Sequence, residues 1–244
     1  MSGHSHAKTV KHQKDITAAK KGKIFSKLAR QIFIAVKERG GDPNANSTLR
    51  MTIEKAREFN MPKENIERAI KKGTGELAGG EVLENIIVEA YGPGGAALII
   101  EGITDNRNRS LGEIKQIIGQ FNGKMATEGS VRWLFQRKGY LEIQLAAPEE
   151  NKREELEILV IEAGAEDFLW RENTLEIYTK PDELEKIKRL LEEKGIKIET
   201  ASLDWVPKEE IVINDSDKNS CQKLFEALDE NDSVQEIYCN TKLS

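Results

Sequence analysis

Hydrophobic residues recur at helical spacing in three successive segments of residues 23–73. The first runs from Lys23 to the glycines and proline at 40–43, the second from about 47 to 59, and the third from Pro62 to Gly73. Each segment keeps its apolar residues on one face, which predicts a bundle of three short helices. The polar side of the first helix carries basic residues at steps of three, four and three, so they share one row. We call this row the basic stripe: Lys20, Lys23, Lys27 and Arg30.

The period changes to that of β-strands after residue 80. Two apolar segments flank GPGG at 92–95, which predicts a β-hairpin. The motif SLGE at 110–113 predicts a capping box that opens a helix toward Phe121. VRWLF at 131–135 alternates apolar and polar residues, as a half-buried strand does.

Residues 140–206 follow the order β-α-β-β-α-β, the split βαβ order of ferredoxin-like domains. The last apolar segments are a helix around 221–228 and a strand at 233–239, which cannot bury themselves alone. We expect them to complete the sheet that begins at 85–136, so that the 140–206 unit is an insertion.

These elements predict a multidomain α+β fold, in which an N-terminal three-helix bundle precedes two α+β domains and the third domain is inserted in the second. The predicted boundaries are a flexible basic tail at 1–20, the helical bundle at 21–78, a discontinuous α+β domain at 79–138 and 207–244, and the inserted ferredoxin-like domain at 139–206.

Charge is unevenly distributed along the chain. Residues 1–75 hold 17 Lys/Arg and 7 Asp/Glu, for a net charge of +10, whereas the remaining residues carry −15. This asymmetry predicts that the basic part binds a polyanion, with nucleic acid as the partner. Lysines outside a fixed framework follow phosphates and do not read bases.

No segment approaches the roughly 20 apolar residues of a membrane span, and no apolar region typical of a secretory signal follows the basic N-terminus. We therefore expect a cytoplasmic protein with no membrane partner, and a monomer as its simplest state. Cys221 and Cys239 lie outside any CxxC spacing, so we expect ordinary reduced thiols.

Catalytic motifs are not recognisable in the sequence. All three histidines lie at or before His12, and GxSxG, Walker A and HExxH patterns are absent. We therefore expect a non-enzyme that uses no cofactor and no metal. If Met1 were removed, Ser2-Gly3-His4 would offer a square-planar chelate for Cu(II) or Ni(II). Imidazoles that stack on bases or donate to phosphates explain His4, His6 and His12 better.

The candidate nucleic-acid contacts combine the tail, the basic stripe and the third helix. They are Gly3, His4, Lys8, Lys11, His12, Lys14, Lys20, Lys21, Lys23, Lys27, Arg30, Lys63, Arg68, Lys71 and Lys72.

Two loops are candidates for a second contact. Gly92, Gly94 and Gly95 either form a tight turn or expose amides to an anion. Arg107 and Arg109 either lie in solvent beside a helix capped by Asn108 or Ser110, or bind a phosphate or carboxylate.

Several motifs together closely resemble the YebC/PmpR family, whose mitochondrial relatives include the translational activator of cytochrome c oxidase. They are GHS (3–5), KH (11–12), GKIFSKL (22–28), GGDPNAN (40–46), NMPKENIERAIKKGTGE (60–76), YGPGG (91–95) and TDNRNR (104–109). The resemblance implies three domains, the third inserted in the second. The family's tail motif has Lys and Trp in place of His6 and Ala7, and Arg in place of Gln13.

Members of that family are known as probable transcriptional regulators that bind DNA, and others assist ribosomes stalled at stretches such as consecutive prolines. The resemblance therefore implies a non-enzymatic, nucleic-acid-binding regulator of gene expression that acts in transcription. The alternative is a translation factor that binds ribosomal RNA. A third hypothesis, an enzyme with a carboxylate pocket between the α+β domains, requires clustered acids with raised pKa values.

Overall fold

The computed structural model describes residues 5–6, 18–77, 82–145 and 150–242, which form an α+β fold. The helices of the described residues are α1 (Ala18–Arg39), α2 (Ser47–Glu58), α3 (Lys63–Thr74), α4 (Arg107–Gln120), α5 (Glu150–Ala163), α6 (Leu184–Glu193) and α7 (Asp215–Asp229). The strands are β1 (Ser5–His6), β2 (Glu84–Tyr91), β3 (Ala97–Thr104), β4 (Lys124–Met125), β5 (Phe135–Gln144), β6 (Asp167–Arg171), β7 (Thr174–Thr179), β8 (Thr200–Pro207) and β9 (Val234–Cys239).

The chain divides into two compact units. Unit 1 comprises residues 1–134 and 207–244, and unit 2 comprises residues 135–206. No helix of the described segments is long and apolar enough to cross a membrane.

The helices α1, α2 and α3 bury their apolar faces together in unit 1, so the three predicted helices are confirmed. Their common core is Leu28, Ile32, Ala35, Val36, Leu49, Ile53, Ala56, Met61, Ile66 and Ala69. Asn46 joins two of the helices, because its Oδ1 accepts a hydrogen bond from the Leu49 amide at 3.0 Å while its Nδ2 donates to the Ala35 carbonyl at 2.8 Å.

The predicted end of the third helix at Gly73 is wrong. Helix α3 continues to Thr74, and Gly75 with φ 81° caps it in the left-handed conformation. Gly73 instead allows α1 and α3 to approach closely. A Cβ atom at Gly73 would lie 2.7 Å from Val36 Cβ and 3.0 Å from the Phe33 carbonyl oxygen.

The sheet of unit 1 has the strand order β1-β9-β3-β2-β4. Strands β2 and β3 form the predicted hairpin, with Gly94 (φ 66°) and Gly95 (φ 77°) in its turn. Strand β9 pairs antiparallel with β3, which confirms that the last strand returns to this sheet. Helices α4 and α7 contribute Ile114, Ile118 and Leu224 to the core against it.

Two local predictions in this unit are wrong. Helix α4 begins at Arg107 because the Asn106 side chain caps it, accepting from the Arg109 amide at 3.1 Å, so SLGE is not a capping box. Residues 132–134 of VRWLF form a 3₁₀ turn, and Trp133 is 64% exposed. The turn arises because the buried Glu89 carboxylate accepts from the amides of Val131 and Arg132 at 2.7 and 2.8 Å.

Unit 2 has the predicted element order β-α-β-β-α-β, with strands arranged β6-β7-β5-β8. The hairpin strand β7 therefore lies between β6 and β5, as in a split βαβ unit.

Tyr140 and Tyr178 are paired on neighbouring strands of unit 2, with ring centroids 5.8 Å apart. Burial raises the pKa of both hydroxyls, and the nearby charge of Glu176 raises it further.

Candidate nucleic-acid interface

The basic stripe lies on one side of α1, opposite the apolar face that contributes Leu28 and Ile32 to the bundle core. Lys20 is exposed, whereas Lys23, Lys27 and Arg30 are half-buried. Their burial shows that part of the predicted contact surface lies against other residues of unit 1.

An acidic segment between α7 and β9 covers the stripe. We call residues 229–232, Asp-Glu-Asn-Asp, the acidic segment. The Lys23 ammonium pairs with the Glu230 carboxylate. Lys27 Nζ lies 2.7 Å from Asp229 Oδ1 and 2.8 Å from the Asp229 carbonyl oxygen, and Arg30 Nη1 donates to the Asp232 carbonyl at 2.7 Å. Three members of the stripe thus bind the protein's own acidic segment.

Lys23 and Glu230 each shift the pKa of the other. The hydrogen bond to Glu230 raises the pKa of Lys23, and the same hydrogen bond and the lysine's charge lower the pKa of the Glu230 carboxyl. Both changes favour the charged forms, so the pair is an ion pair at neutral pH.

Further polar contacts join the bundle to the sheet of unit 1. Gln31 Nε2 donates to Gln235 Oε1 at 3.1 Å, and Lys55 Nζ lies 3.1 Å from Glu236 Oε1. The stripe therefore belongs to an extended polar contact between the helical bundle and strand β9 with its preceding segment.

Helix α3 carries the second group of predicted contacts. Lys63, Arg68, Lys71 and Lys72 are all exposed. Lys63 lies 3.6 Å from Glu67, whereas Arg68 and Lys71 have no acidic partner among the residues that the structure describes. Spacings of three and four residues place Arg68, Lys71 and Lys72 on one side of the helix. Helix α3 therefore presents an exposed basic face, on which Arg68 and Lys71 lack an acidic partner among the described residues.

A groove between α1 and α3 lies between the basic stripe and the basic residues of α3. We call this cavity of about 360 Å³ the α1–α3 groove. Arg30 reaches it from α1, and Arg68 and Lys72 reach it from α3, so the structure gathers three predicted contacts around one cavity. The remaining lining residues are Phe25, Ser26, Ala29, Phe33, Met61, Asn65, Ala69 and Leu83.

The two predicted second contact loops are not brought together. They lie at opposite ends of β3, whose eight residues span about 26 Å. Gly92 is buried, and a Cβ at Gly94 would lie 2.8 Å from Ile213 Cγ2 and 3.0 Å from Asp217 Oδ2. The turn with Gly92, Gly94 and Gly95 therefore packs beside an acidic side chain, which disfavours an anion there.

The arginine loop lies at the end of β3 that contacts the stripe. Arg30 Nη1 lies 3.3 Å from the Ile103 carbonyl oxygen, close to the start of this loop. Arg109 Nη2 is 2.5 Å from Asp105 Oδ1, whereas Arg107 is exposed with no ion pair in the described part of the chain. Arg107 is thus the stronger candidate of the two for an external anion.

The tail contacts predicted at Gly3, His4, Lys8, Lys11, His12 and Lys14 lie outside the described residues. Within the predicted tail, Ser5–His6 form strand β1, which pairs antiparallel with β9. Helix α1 also begins inside it, at Ala18.

Buried ionisable groups elsewhere stabilise the fold. Burial would raise the pKa of Glu89, but hydrogen bonds from the amides of Gly129, Val131 and Arg132 and the Arg132 charge lower it overall. Burial raises the pKa of the Cys221 thiol to about 12, which leaves it unreactive at neutral pH. Within the described segments, no group of three or more His, Cys, Asp and Glu side chains could hold a metal ion.

Two family models together span most of the sequence. A model of the TACO1/YebC protein N-terminal domain matches residues 5–76, and a model of the TACO1/YebC second and third domain matches residues 83–241. The chain belongs to the TACO1/YebC family. The resemblance inferred from its motifs is thereby confirmed.

Relatives match this family member over its full length. It is 45% identical to a probable transcriptional regulatory protein of Thermoanaerobacter pseudethanolicus, covering 100% of this chain and 98% of that protein. It is 44% identical to a probable transcriptional regulatory protein of Caldanaerobacter subterraneus, covering 100% and 99%. The crystal structure of a conserved hypothetical protein from Aquifex aeolicus superposes with a TM-score of 0.86 at 42% identity, covering 96% of each chain.

Sequence reasoning missed two parts of this interface. The contact of the acidic segment with the stripe was not predictable, because the two lie about 200 positions apart, although three acids within four residues were visible. The helical pattern places Phe25 on the apolar face of the first helix and gives no reason to single out Phe33, yet both line the groove. Their helical spacing indicates burial. It does not reveal that both side chains border a cavity and remain partly exposed.

Proposed function

We propose that this chain is a non-enzymatic regulator of gene expression that binds nucleic acid, with DNA as its target in transcription and the helical bundle as its contact surface. One observation carries the proposal: α3 presents Arg68 and Lys71 on an exposed face without acidic partners among the described residues, in the basic part of an otherwise acidic chain. The names of the full-length relatives support a role in transcription.

The distribution of charge on α3 favours contacts to phosphates over base reading. Glu64 and Glu67 lie in its N-terminal part and repel a phosphate backbone, whereas Arg68, Lys71 and Lys72 follow them toward the C-terminus. A recognition helix of the helix-turn-helix type contacts base edges through its N-terminal residues. We therefore propose binding through backbone charge and shape, with Arg107 as an additional contact.

The domain arrangement is part of the proposal. The separation of residues 135–206 as a compact unit supports an inserted domain at 139–206. We propose that it is the third domain, that the protein acts in the cytoplasm as a monomer, and that the acidic α+β domains carry surfaces for other partners.

The salt dependence of binding tests the proposal. The double variant Arg68→Gln/Lys71→Gln removes two phosphate contacts, so the log–log salt slope on duplex DNA should fall by about 1.8. The double variant Lys115→Gln/Lys223→Gln, at exposed positions of α4 and α7, changes net charge equally and should leave the slope unchanged. Equal slopes for wild type and the α3 variant would refute a contact surface on α3.

A ribosome-binding translation factor is the second candidate function. The α1–α3 groove favours it, because a partly apolar cavity with a basic rim suits the unpaired bases that RNA exposes. Competition between purified ribosomes and promoter-length duplex DNA at physiological salt separates the two candidates. Preferential retention on ribosomes would replace transcription with translation as the site of action.

A further inference from the structure

The floor of the α1–α3 groove is apolar and partly aromatic. Phe25, Ala29 and Phe33 follow one another at steps of four residues on α1, so they form a single row along the groove. Both phenylalanines are half-buried, whereas Met61, just before α3, and Ala69 on α3 are buried and also line the groove. Ala29, the small residue between the two phenylalanines, also lines the groove and is half-buried. We call the space above Ala29 the recess.

The rim of the groove is basic. Arg30, Arg68 and Lys72 line it, and no acidic residue does. Among the described residues Arg30 is hydrogen-bonded through Nη1 alone, so the other donors of its guanidinium are available to a ligand. Arg68 is exposed and has no acidic partner among those residues. The site therefore complements a ligand that joins a flat apolar ring to a negative charge.

We propose that the α1–α3 groove binds one unpaired nucleotide of a single-stranded nucleic acid, with the base against Phe25 and Phe33 and its phosphates on Arg30 and Arg68. The volume of about 360 Å³ lies at the lower end of the range of small-molecule sites, about 300–1,000 Å³, which suits one nucleotide. The inference rests on the proposed function, because it specifies which form of nucleic acid the basic bundle selects.

The chemistry favours a single strand over a duplex. In a duplex the faces of the bases are stacked on one another and cannot reach an apolar floor, whereas every unpaired base exposes a π-face. Proteins that bind single strands combine a positive groove with aromatic side chains on which bases stack. The groove has both features, and the exposed face of α3 continues its positive charge along the phosphate backbone.

The first experiment changes the ligand and leaves the protein intact. Affinities of the full-length protein are measured for a fluorescent 12-nucleotide oligothymidylate and for the same strand with all bases removed, which keeps every phosphate. A base bound in the groove makes the intact strand bind about five- to 150-fold tighter, the range of one base–aromatic stack.

The second experiment fills the recess. Ala29→Leu places a larger aliphatic side chain between the two phenyl rings and should reduce the preference for the intact strand to nearly one. Ala163→Leu, at a half-buried position of α5, makes the same substitution away from the groove and should keep the preference. Phe25→Leu is the second variant, because it removes a stacking ring while an apolar side chain remains.

The outcomes distinguish the groove from the proposed function. Equal affinity for the two strands, or a preference that survives Ala29→Leu and Phe25→Leu in folded protein, overturns the groove site. The proposed function still stands if both strands bind with a salt dependence that Arg68→Gln/Lys71→Gln reduces. If neither strand nor duplex DNA binds, the proposed function fails and the inference fails with it.

Discussion

Lys27 of α1 lies against the last residue of α7, with Nζ 2.7 Å from Asp229 Oδ1 and 2.8 Å from its carbonyl oxygen. The lysine side chain is only 15% exposed. One ammonium group thus neutralises a carboxylate and caps the negative end of a helix. If the basic stripe binds phosphates, as proposed, the acidic segment would compete with them for Lys27.

The Lys27–Asp229 contact should show measurable coupling in stability. In a double-mutant cycle with Lys27→Ala and Asp229→Ala, we expect an interaction energy of about 0.5–2 kcal/mol from urea unfolding. The exposed pair Lys63–Glu67 is the control, for which we expect about 0.5 kcal/mol or less. Coupling no larger than that of the control would show that the contact does not stabilise unit 1.

Neutralising the acidic segment should strengthen nucleic-acid binding. The variant Asp229→Asn/Glu230→Gln removes two carboxylates that occupy Lys23 and Lys27, so these lysines become available to phosphates. We expect duplex affinity at low salt to rise by about three- to tenfold, the effect of a modest ion-pair energy. Fluorescence anisotropy titrations measure the change.

The control for this variant is Glu154→Gln/Glu155→Gln, at exposed positions of α5, which alters net charge by the same amount. A rise in affinity equal to that of the control would mean that only overall charge matters. The acidic segment and the nucleic acid would then not compete for the stripe.

Glu89 should make stability depend on pH. Its carboxylate accepts amide hydrogen bonds from Gly129, Val131 and Arg132 at 2.7–2.8 Å. Glu89→Gln places an NH₂ group against N–H donors, and we expect it to lower the free energy of unfolding by about 2–4 kcal/mol at pH 7. Urea unfolding at several pH values measures the effect.

The direction of the pH dependence follows from the lowered pKa of Glu89. A carboxyl whose pKa is lower in the folded state stabilises the fold above its ordinary pKa of about 4.5, and this contribution is lost as pH falls through the folded value. The difference between wild type and Glu89→Gln should therefore shrink as the pH falls below 4.5. A constant difference from pH 7 to pH 3 would contradict this account.

Two helical glycines should respond oppositely to alanine. Gly73→Ala adds a Cβ 2.7 Å from Val36 Cβ, and we expect a loss of about 1–3 kcal/mol from overpacking. Gly112→Ala in α4 meets nothing within 4 Å, so we expect a gain of up to about 1 kcal/mol from helix propensity. Thermal unfolding compares them; equal shifts would show that α1 and α3 separate easily at Gly73.

Periodicity was sufficient for most of the elements and for the buried face of the bundle, but not for VRWLF. The apolar face of α1, with Leu28 and Ile32, was predictable because burial imposes a repeat on the sequence. The return of β9 to the sheet was predictable because a lone strand cannot bury itself, but its neighbour β3 was not. The start of α4 was not predictable, because Asn106 and Ser110 are equally good caps by residue type. Ser110 is instead buried, hydrogen-bonded to Thr104 at 2.7 Å and Ser233 at 2.8 Å.

The candidate site was predictable only in its residue types. The stripe and the basic residues of α3 were visible as spacings, but a spacing does not reveal what lies opposite it. The partner of Lys27 is Asp229, and Arg30 lines the same groove as Arg68, so both relationships depend on tertiary structure. The arrangement of VRWLF depended likewise on a distant residue, Glu89.

Strand β1 has a consequence for experiments on the tail. By pairing Ser5 with Cys239 and His6 with Tyr238, it covers the outer edge of β9. A truncation that removes these residues uncovers backbone N–H and C=O groups, and such an edge invites pairing with another molecule. Weak nucleic-acid binding by such a truncated protein would therefore have two causes: self-association at the uncovered edge and the loss of positive charge. Replacing the tail lysines with glutamine keeps the edge closed and separates the two effects.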